Sequence, residues 1–264
     1  MNKTKNFSLM TALLSVINDN ETEDISYTVA HYLLEHFNEL ENISIYDIMD
    51  NCYISRSGVR RFCRSIGYSN FSDIKARAGE WNFQYQKYLT IATRFSDYSL
   101  LKNNINKVFD DIEKVLNKEV VEKILDIIYS SENVIVLVSE FSGSSVKQFQ
   151  QSMVAMGKII RVMTSSYIDE NSLKQLNGND AVITISVTGN YALQIKNLIE
   201  EVESYRILFT LNREKEIMES YDEVIFFGHE KTENLIREYS VYGVDYLFDL
   251  IFSEYVLKYK IQGS

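Results

Sequence analysis

Residues 45–67, IYDIMDNCYISRSGVRRFCRSIG, carry the pattern that decides the fold of the first part of the chain. Ser44 and Asp47 have the spacing of a capping box, which predicts a short helix beginning directly after Ser44. Ser55 can cap a second helix, and Gly67 can take the left-handed conformation that ends it. Because three or four residues separate the two helices, the stretch is typical of a helix-turn-helix.

The second helix of this stretch separates its apolar side chains from its basic ones. With about 100° of rotation per residue, the two sets point in nearly opposite directions. The apolar face consists of Val59, Phe62, Cys63 and Ile66, and the polar face of Arg56, Ser57, Arg60, Arg61 and Arg64. The first face is predicted to be buried, and the second to contact a polyanion.

Positive charge is concentrated around this helix although the chain as a whole is acidic. The 264 residues have a formal net charge of −10, whereas residues 53–78 hold six basic side chains against one acidic side chain. Such a local excess favours a duplex backbone through counterion release, whatever the total charge. We therefore expect this segment to bind double-stranded DNA. The expected contact residues are Ser55, Arg56, Ser57, Arg60, Arg61, Arg64 and Lys75.

An ordinary solvated helix face is the competing interpretation of these basic residues. The caps, the turn length and the opposed faces all agree with one another, which favours the DNA-binding interpretation. Recognition helices contact bases with their N-terminal residues, so Arg60 and Ser57 are expected to reach base edges. Arg64 and Lys75 are expected to contact phosphates.

Length and composition predict two domains without a metal or cofactor. The chain is longer than one typical domain, and 45% of its residues are hydrophobic. Its two cysteines, Cys52 and Cys63, have no partners at metal-ligand spacing, and a buried reduced thiol is expected at Cys63. Neither a secretory signal nor a membrane-spanning run is found in the sequence. We therefore expect a cytoplasmic protein that does not enter a membrane.

Changes in the apolar pattern predict the domain boundaries. Residues 1–92 form a helical domain that includes a helix over 71–81, residues 93–131 a helical connector packed on the second domain, and residues 132–264 the second domain. Short apolar runs occur at 134–138, 159–163, 181–185, 207–209 and 224–227. Runs of this kind, alternating with helices, are typical of parallel strands buried on both faces. The sequence thus predicts an all-α domain followed by an α/β layer sandwich with a five-stranded parallel sheet.

Two loops at predicted carboxyl ends of strands are rich in hydroxyl groups. They are residues 139–145, SEFSGSS, and residues 186–191, SVTGNY. Ligands of parallel α/β sheets bind at this edge, where helix N-termini offer free N–H groups to anions. The spacing alone leaves phosphate binding and simple helix capping equally open.

Residues 53–68, YISRSGVRRFCRSIGY, with FSDIK at 71–75, resemble the DNA-binding domain of the RpiR family of bacterial transcriptional regulators. The shared features are a serine that opens the recognition helix, an Arg-Phe-Cys step, a Gly-Tyr at its end and a Phe-x-x-x-Lys segment. The second half resembles the sugar isomerase (SIS) domain of such regulators, a phosphosugar-binding α/β sandwich. The resemblance spans nearly the whole chain.

The resemblance implies a regulator of sugar or amino-sugar metabolism that is controlled by a phosphosugar. It also implies a homodimer, joined through the SIS domains, on a palindromic operator. In the SIS pattern Ser-x-Ser-Gly-x-Thr, Ser186 and Gly189 match, Thr188 replaces serine, and Tyr191 stands where threonine is usual. The ligand-binding residues that this resemblance implies are Ser142 of the first loop and Ser186, Thr188 and Gly189 of the second.

Two alternatives remain open. Val138 and Glu140 stand where the family has glycines, so one alternative is a regulator whose SIS domain only dimerises. The other is a sugar-phosphate isomerase, for which Glu140, His229 and Glu230 are the candidate acid–base residues. Surface roles are favoured for these three, so we expect no enzyme and no catalytic residue. Asp245 matches a family position that packs the domain and is expected to be structural.

Overall fold

The computed structural model describes residues 8–94, 98–139, 143–164, 168–228 and 235–261. The chain divides into two compact units, Met1–Asp97 and Tyr98–Ser264. The buried apolar residues of the first unit form one cluster, and those of the second unit form two others. The chain therefore folds as two units with separate cores.

The first unit is built from helices. They are α1 (Leu9–Asp19), α2 (Ile25–Glu35), α3 (Ile45–Asn51), α4 (Arg56–Ser65), α5 (Phe71–Lys75) and α6 (Gly79–Arg94), with a 3-10 turn at Phe37–Glu39. Polar side chains start them: the Asp24 carboxylate accepts the Ser26 N–H at α2, and the Asn70 side chain accepts the Asp73 N–H at α5. Their apolar faces meet in one core around Leu33. The all-α prediction for this unit is confirmed.

The single helix predicted over residues 71–81 is wrong, because α5 and α6 are separate helices. Between them the Arg77 N–H donates to the Ile74 carbonyl oxygen at 2.9 Å. This i→i+3 bond is of the kind that tightens and ends a helix. Because α6 begins as a separate helix, Glu80 in its first turn can accept the Leu9 N–H at 2.9 Å. This hydrogen bond joins α6 to the N-terminus of α1, where backbone N–H groups have no partner within the helix.

The second unit alternates strands and helices after two leading helices. Its strands are β1 (Val134–Val138), β2 (Ile160–Thr164), β3 (Ala181–Ile185), β4 (Tyr205–Thr210) and β5 (Glu223–Phe226). Its helices are α7 (Tyr98–Val115), α8 (Lys118–Ser130), α9 (Gly143–Ala155), α10 (Glu170–Leu173), α11 (Asn190–Glu200), α12 (Lys215–Met218), α13 (Ile236–Glu238) and α14 (Val244–Val256). Turns of π-helix at Tyr239–Gly243 and Leu257–Ile261 flank α14.

The five strands form one parallel sheet in the order β2-β1-β3-β4-β5. β1 pairs with β2 on one side and with β3 on the other, and Val138 lies opposite Ile185. The strand order therefore reverses between β1 and β3, so the connections that leave these two strands run in opposite directions across the sheet. The predicted five-stranded parallel sheet is confirmed.

Successive side chains of the central strands enter two different cores. Val134, Val136 and Val138 of β1 belong to one cluster, and Ile135 and Leu137 belong to the other. Because alternate residues of a strand point to opposite faces, both faces of this sheet are covered. Burial on both faces explains why the strand is a continuous apolar run in the sequence.

The last long helix packs through one face along its whole length and leaves its acidic residues in solvent. Leu247 and Phe248 of α14 are buried, whereas Asp245 is exposed in the first turn. The packing role expected for Asp245 is therefore wrong. None of the helices in the described ranges is long and apolar enough to cross a membrane.

Candidate nucleic-acid interface and ligand site

The helix that carries the basic residues, α4, is fixed at both ends. The Ser55 side chain accepts a hydrogen bond from the Gly58 N–H at 3.2 Å, and Gly67 has a φ of 91° just beyond the helix. Gly58 packs closely on the preceding turn, since a Cβ there would lie 2.4 Å from Ile54 Cγ1. The predicted cap and the predicted left-handed end are both confirmed.

The turn between α3 and α4 consists of residues 52–55, as a helix-turn-helix requires. The predicted capping box of α3 is present, with the Ser44 N–H donating to the Asp47 carboxylate at 2.7 Å. Tyr53 in the turn has a φ of 52° and a side chain that is 94% exposed. A left-handed tyrosine is strained, and no sequence pattern identified it. The tight connection imposes this conformation.

The two faces of α4 differ in burial as predicted. Val59, Phe62, Cys63 and Ile66 are buried in the core of the first unit. The four arginines on the other side of the helix are exposed. The amphipathic division of the helix is therefore confirmed, and its basic face is open to solvent.

The arginines of α4 differ from Arg161 and Arg206 in having no internal anion among the described residues. No side-chain hydrogen bond or ion pair joins Arg56, Arg60, Arg61 or Arg64 to any residue in the described part of the chain. By contrast, Arg206 of the sheet lies 2.9 Å from an Asp222 oxygen. The basic face of α4 is thus not needed for ion pairing within the fold.

A cleft of about 650 Å³ lies beside α4, against the starts of α3 and α5. Arg56 and Arg60 border it from α4, and Lys75 borders it from α5. The structure therefore brings Arg56, Ser57, Arg60 and Lys75 to one concave surface. Of the other residues expected to bind DNA, Ser55, Arg61 and Arg64 are exposed but do not line the cleft.

Both cysteines lie in the first core rather than at a reactive surface. Cys52 and Cys63 are free and buried. Burial raises the pKa of each thiol to about 11, so that both are protonated at neutral pH. The buried thiol predicted at Cys63 is confirmed.

The predicted ligand-binding residues of the second unit lie between β3 and α11. Ser186, Thr188 and Gly189 follow β3 at the carboxyl edge of the sheet, beside the reversal of strand order. This is the edge where ligands of open α/β sheets bind. The predicted residues Ser142, Glu140, His229 and Glu230 lie outside the described residues.

The hydroxyl groups of this loop cap α11. Ser186 is 3% exposed, and its Oγ accepts the Ala192 N–H at 3.1 Å. Thr188 Oγ1 accepts the Asn190 N–H at 3.4 Å, a weaker contact. Helix capping, one of the two interpretations of the sequence, therefore describes their contacts in the structure. Each hydroxyl still has a proton that it can donate.

The loop is held closed by Asn212, which the sequence reasoning missed. Gly189 has a φ of 82°, and a Cβ there would lie 2.7 Å from the Asn212 Nδ2. The same amide nitrogen donates to the Thr188 carbonyl oxygen at 3.1 Å. The available signal was an asparagine two residues after the end of β4, at the carboxyl edge of the predicted sheet.

Tyr191 does not supply a hydroxyl to the loop, although it occupies the position where the resemblance expects a threonine. Its side chain is buried in the core beside α11, with Ile135 and Leu137. Its hydroxyl oxygen has no hydrogen-bond partner among the described residues. Burial raises the pKa of this phenol well above its ordinary value. The loop at the sheet edge is therefore poorer in hydroxyl groups than the motif suggests.

A second polar cluster, also missed by sequence reasoning, joins α7 to the start of the C-terminal helices. Glu238 is fully buried, and its Oε1 accepts the Asn104 amide at 2.9 Å. The Tyr239 hydroxyl donates to the buried Asp111 carboxylate at 2.9 Å, and burial together with this carboxylate raises the pKa of Tyr239. No group of three or more potential metal ligands occurs among the described residues.

Comparison with known proteins gives one family match and several similar folds. Residues 12–82 match the family model described as the helix-turn-helix domain of the rpiR family. The chain is similar to the Vibrio vulnificus NanR protein complexed with ManNAc-6P, at 16% identity and a TM-score of 0.48, over 95% of this chain and 92% of that chain. No curated protein matches the chain.

Two further similar structures cover mainly the second part of the chain. The sugar isomerase domain of an RpiR transcription factor from Sphaerobacter thermophilus has 16% identity and a TM-score of 0.46, over 61% of this chain and 89% of that chain. Phosphoheptose isomerase from Neisseria gonorrhoeae has 15% identity and a TM-score of 0.42, over 63% and 98%.

The family match covers α2 to α5 completely. It therefore includes the capped pair of helices, the turn between them and the basic cleft beside α4. Residues 12–82 of the first unit are therefore similar to the helix-turn-helix domain of the rpiR family.

Proposed function

We propose that this chain is a transcriptional regulator that binds a double-stranded DNA operator through α4. The observation that carries the proposal is the row of four exposed arginines on a capped helix, without an internal anion among the described residues. A helix of this kind is suited to the major groove. The expected interface consists of Ser55, Arg56, Ser57, Arg60, Arg61, Arg64 and Lys75.

The proposed regulator is a cytoplasmic homodimer, joined through its second unit, on a palindromic operator. One copy of α4 offers a small interface and half of a palindrome, so two copies related by a two-fold axis are needed for a specific site. The isolated segment from about Asp97 to Ser264 is expected to fold by itself, because it has cores of its own, and to be dimeric, because it holds the proposed dimer interface.

The proposed effector is a phosphorylated sugar or amino sugar bound at the loop of Ser186, Thr188 and Gly189, with Ser142. The support is the location of this loop beside the reversal of strand order, together with hydroxyl protons that remain available. Its hydroxyls also cap α11, which supports the second candidate, a regulator whose second unit only dimerises.

Catalysis is not part of the proposal. An aldose–ketose isomerase needs an acid or base that can reach the substrate. The candidate acid–base residues Glu140, His229 and Glu230 lie outside the described residues, and the nearby Glu238 is fully buried and already accepts the Asn104 amide. We therefore propose a sensor of a phosphosugar rather than an enzyme that converts one.

The test of DNA binding begins with selection of duplexes by the full-length protein from a random library. Fluorescence anisotropy then compares the enriched duplex with a scrambled one of the same composition, at several salt concentrations. We expect tighter binding to the enriched duplex and an affinity that falls as salt rises. No enrichment and no dependence on salt would refute the proposed function.

The test of the effector is thermal unfolding in millimolar glucosamine 6-phosphate, N-acetylmannosamine 6-phosphate and fructose 6-phosphate. A ligand that binds only the native state raises the unfolding midpoint, and the unphosphorylated sugars are the matched controls. The effector must also change operator affinity by the factor by which the operator changes effector affinity. If none of the three shifts the midpoint, the dimerisation-only candidate is the better description.

A further inference from the structure

The basic residues of the first unit are divided between two surfaces. Arg56, Arg60 and Lys75 line the cleft beside α4, whereas Arg61 and Arg64 do not. All four arginines are exposed, so exposure does not distinguish them. Their direction from the helix axis does.

The geometry of α4 shows which side chains point straight away from the core. With about 100° per residue and Arg56 at zero, the buried residues Gly58, Val59, Phe62 and Cys63 centre near 270°, so the outward direction is near 90°. On the same scale Ser57 and Arg64 lie within about 10° of that direction. Arg60 and Arg61 each lie about 50° from it on opposite sides, so that Arg60, with Arg56 beyond it, points toward the cleft and Arg61 points away from the cleft.

The lining of the cleft suits one phosphodiester group. Three cations reach it, from Arg56, Arg60 and Lys75, and the residues that line it include the hydroxyl-bearing Ser44, Ser57 and Ser72 but no carboxylate side chain. Guanidinium, ammonium and hydroxyl groups are the usual donors to phosphate oxygens. None of the three cations forms an ion pair with another described residue.

One acidic side chain lies close to Lys75 without lining the cleft. Asp47 accepts the Ser44 N–H at 2.7 Å as part of the capping box. That hydrogen bond keeps the pKa of Asp47 below its ordinary value, and the charge of Lys75 adds to the effect. Asp47 therefore serves the start of α3, and the cleft keeps a net positive lining.

We infer that the cleft formed by Arg56, Arg60 and Lys75 holds one backbone phosphate of the DNA, and that Arg61 and Arg64, which do not line the cleft, face the base edges. This inference rests on the proposed function, because it assigns phosphate contacts and base contacts to different residues of the proposed interface. It reverses the sequence-based expectation for two residues. Arg60 becomes a phosphate contact, and Arg64 becomes a base-facing residue.

The test uses matched variants of the full-length protein, Arg60→Ala with Arg60→Lys and Arg61→Ala with Arg61→Lys. The probes are the duplex enriched by the wild type and its scrambled counterpart, measured by anisotropy at several salt concentrations. Arg60→Ala should weaken both duplexes by the same factor and reduce the log–log salt slope by about 0.9. Arg60→Lys should bind nearly as the wild type does, because a phosphate accepts either cation.

Arg61 should behave in the opposite way. Arg61→Ala should lower the ratio of enriched to scrambled affinity by a factor of roughly 5 to 150. Arg61→Lys should lower this ratio as well, while keeping most of the salt slope, because an ammonium group cannot make the bidentate contact of a guanidinium group.

The outcomes separate this inference from the proposed function. If the wild type binds no duplex in a salt-dependent way, both fail. If the wild type binds specifically but Arg60→Ala lowers the specificity ratio as much as Arg61→Ala does, the inference alone is overturned. An unchanged unfolding midpoint in each variant shows that the effect belongs to the interface, as expected for exposed side chains.

Discussion

The two candidate sites differ in how far the fold itself uses their polar groups. On α4, Arg56, Arg60, Arg61 and Arg64 have no internal partner among the described residues. At the sheet edge, the Ser186 hydroxyl caps α11 and is buried. The cap that the Ser186 hydroxyl provides is a sufficient structural reason for a serine at that position. The four unpaired arginines of α4 have no such structural reason, which favours a role in binding. The comparison therefore assigns function with more force to the first unit than to the second.

The loop at the sheet edge nevertheless leaves little room for a side chain at Gly189. Gly189→Ala tests this close packing and should cause the largest loss of stability among the proposed single-residue variants. Alanine at a φ of 82° would be strained, and its Cβ would also meet Asn212 at 2.7 Å. We expect a loss of about 2–4 kcal/mol in urea unfolding of the second unit.

Gly157→Ala is the matched control for this substitution. Gly157 has a similar φ of 80°, but a Cβ there would meet nothing within 4 Å. We expect a loss of about 1–2 kcal/mol from the backbone conformation alone. Equal losses in the two variants would show that Asn212 does not fix the loop.

Ser186→Ala tests whether the predicted ligand residue is structural. The substitution leaves the buried Ala192 N–H without its acceptor, so we expect a loss of about 1–3 kcal/mol. Ser57→Ala on the exposed face of α4 should change stability by less than about 0.5 kcal/mol. If Ser186→Ala unfolds at the same urea concentration as the wild type, the capping role is refuted.

Tyr191→Phe should stabilise the second unit slightly. Its buried hydroxyl has no partner among the described residues, and removing an unsatisfied polar group relieves its desolvation penalty. We expect a gain of up to about 1 kcal/mol in urea unfolding. A loss of the same size would mean that this hydroxyl is satisfied by a buried water.

The cysteines should show the smallest effect, which is almost no reaction with iodoacetamide in the native protein. With a pKa of about 11 for both thiols, the thiolate fraction at pH 8 is on the order of one in a thousand. The labelling rate should rise as pH is raised toward that pKa. Protein unfolded in urea provides the control, and rapid native labelling at pH 8 would contradict the burial of Cys52 and Cys63.

Local patterns in the sequence predicted much of this structure. The capping box at Ser44, the cap at Ser55 and the left-handed Gly67 were all predictable, because each depends on a few neighbouring residues. The five strands were predictable because burial on both faces gives continuous apolar runs.

Long-range contacts explain what the sequence did not predict. Asn212, which follows β4, contacts Thr188, which follows the neighbouring strand β3. Glu238 contacts Asn104, which is more than a hundred residues away in the sequence. The local periodicity of apolar residues does not indicate which distant polar residues form such a pair. The break between α5 and α6 also escaped prediction, since its position depends on how Glu80 reaches the start of α1. The division of α4 between cleft and outward surfaces required the placement of α3 and α5.

The most direct test of DNA binding by α4 replaces its four unpaired arginines in the full-length protein. A variant with Arg56→Gln, Arg60→Gln, Arg61→Gln and Arg64→Gln is compared with the wild type on the enriched duplex across a salt series. We predict an affinity about a hundredfold lower or more, and a log–log salt slope smaller by at least about 2, with the unfolding midpoint unchanged. The same affinity and the same slope in the two proteins would contradict the claim that this face of α4 binds DNA.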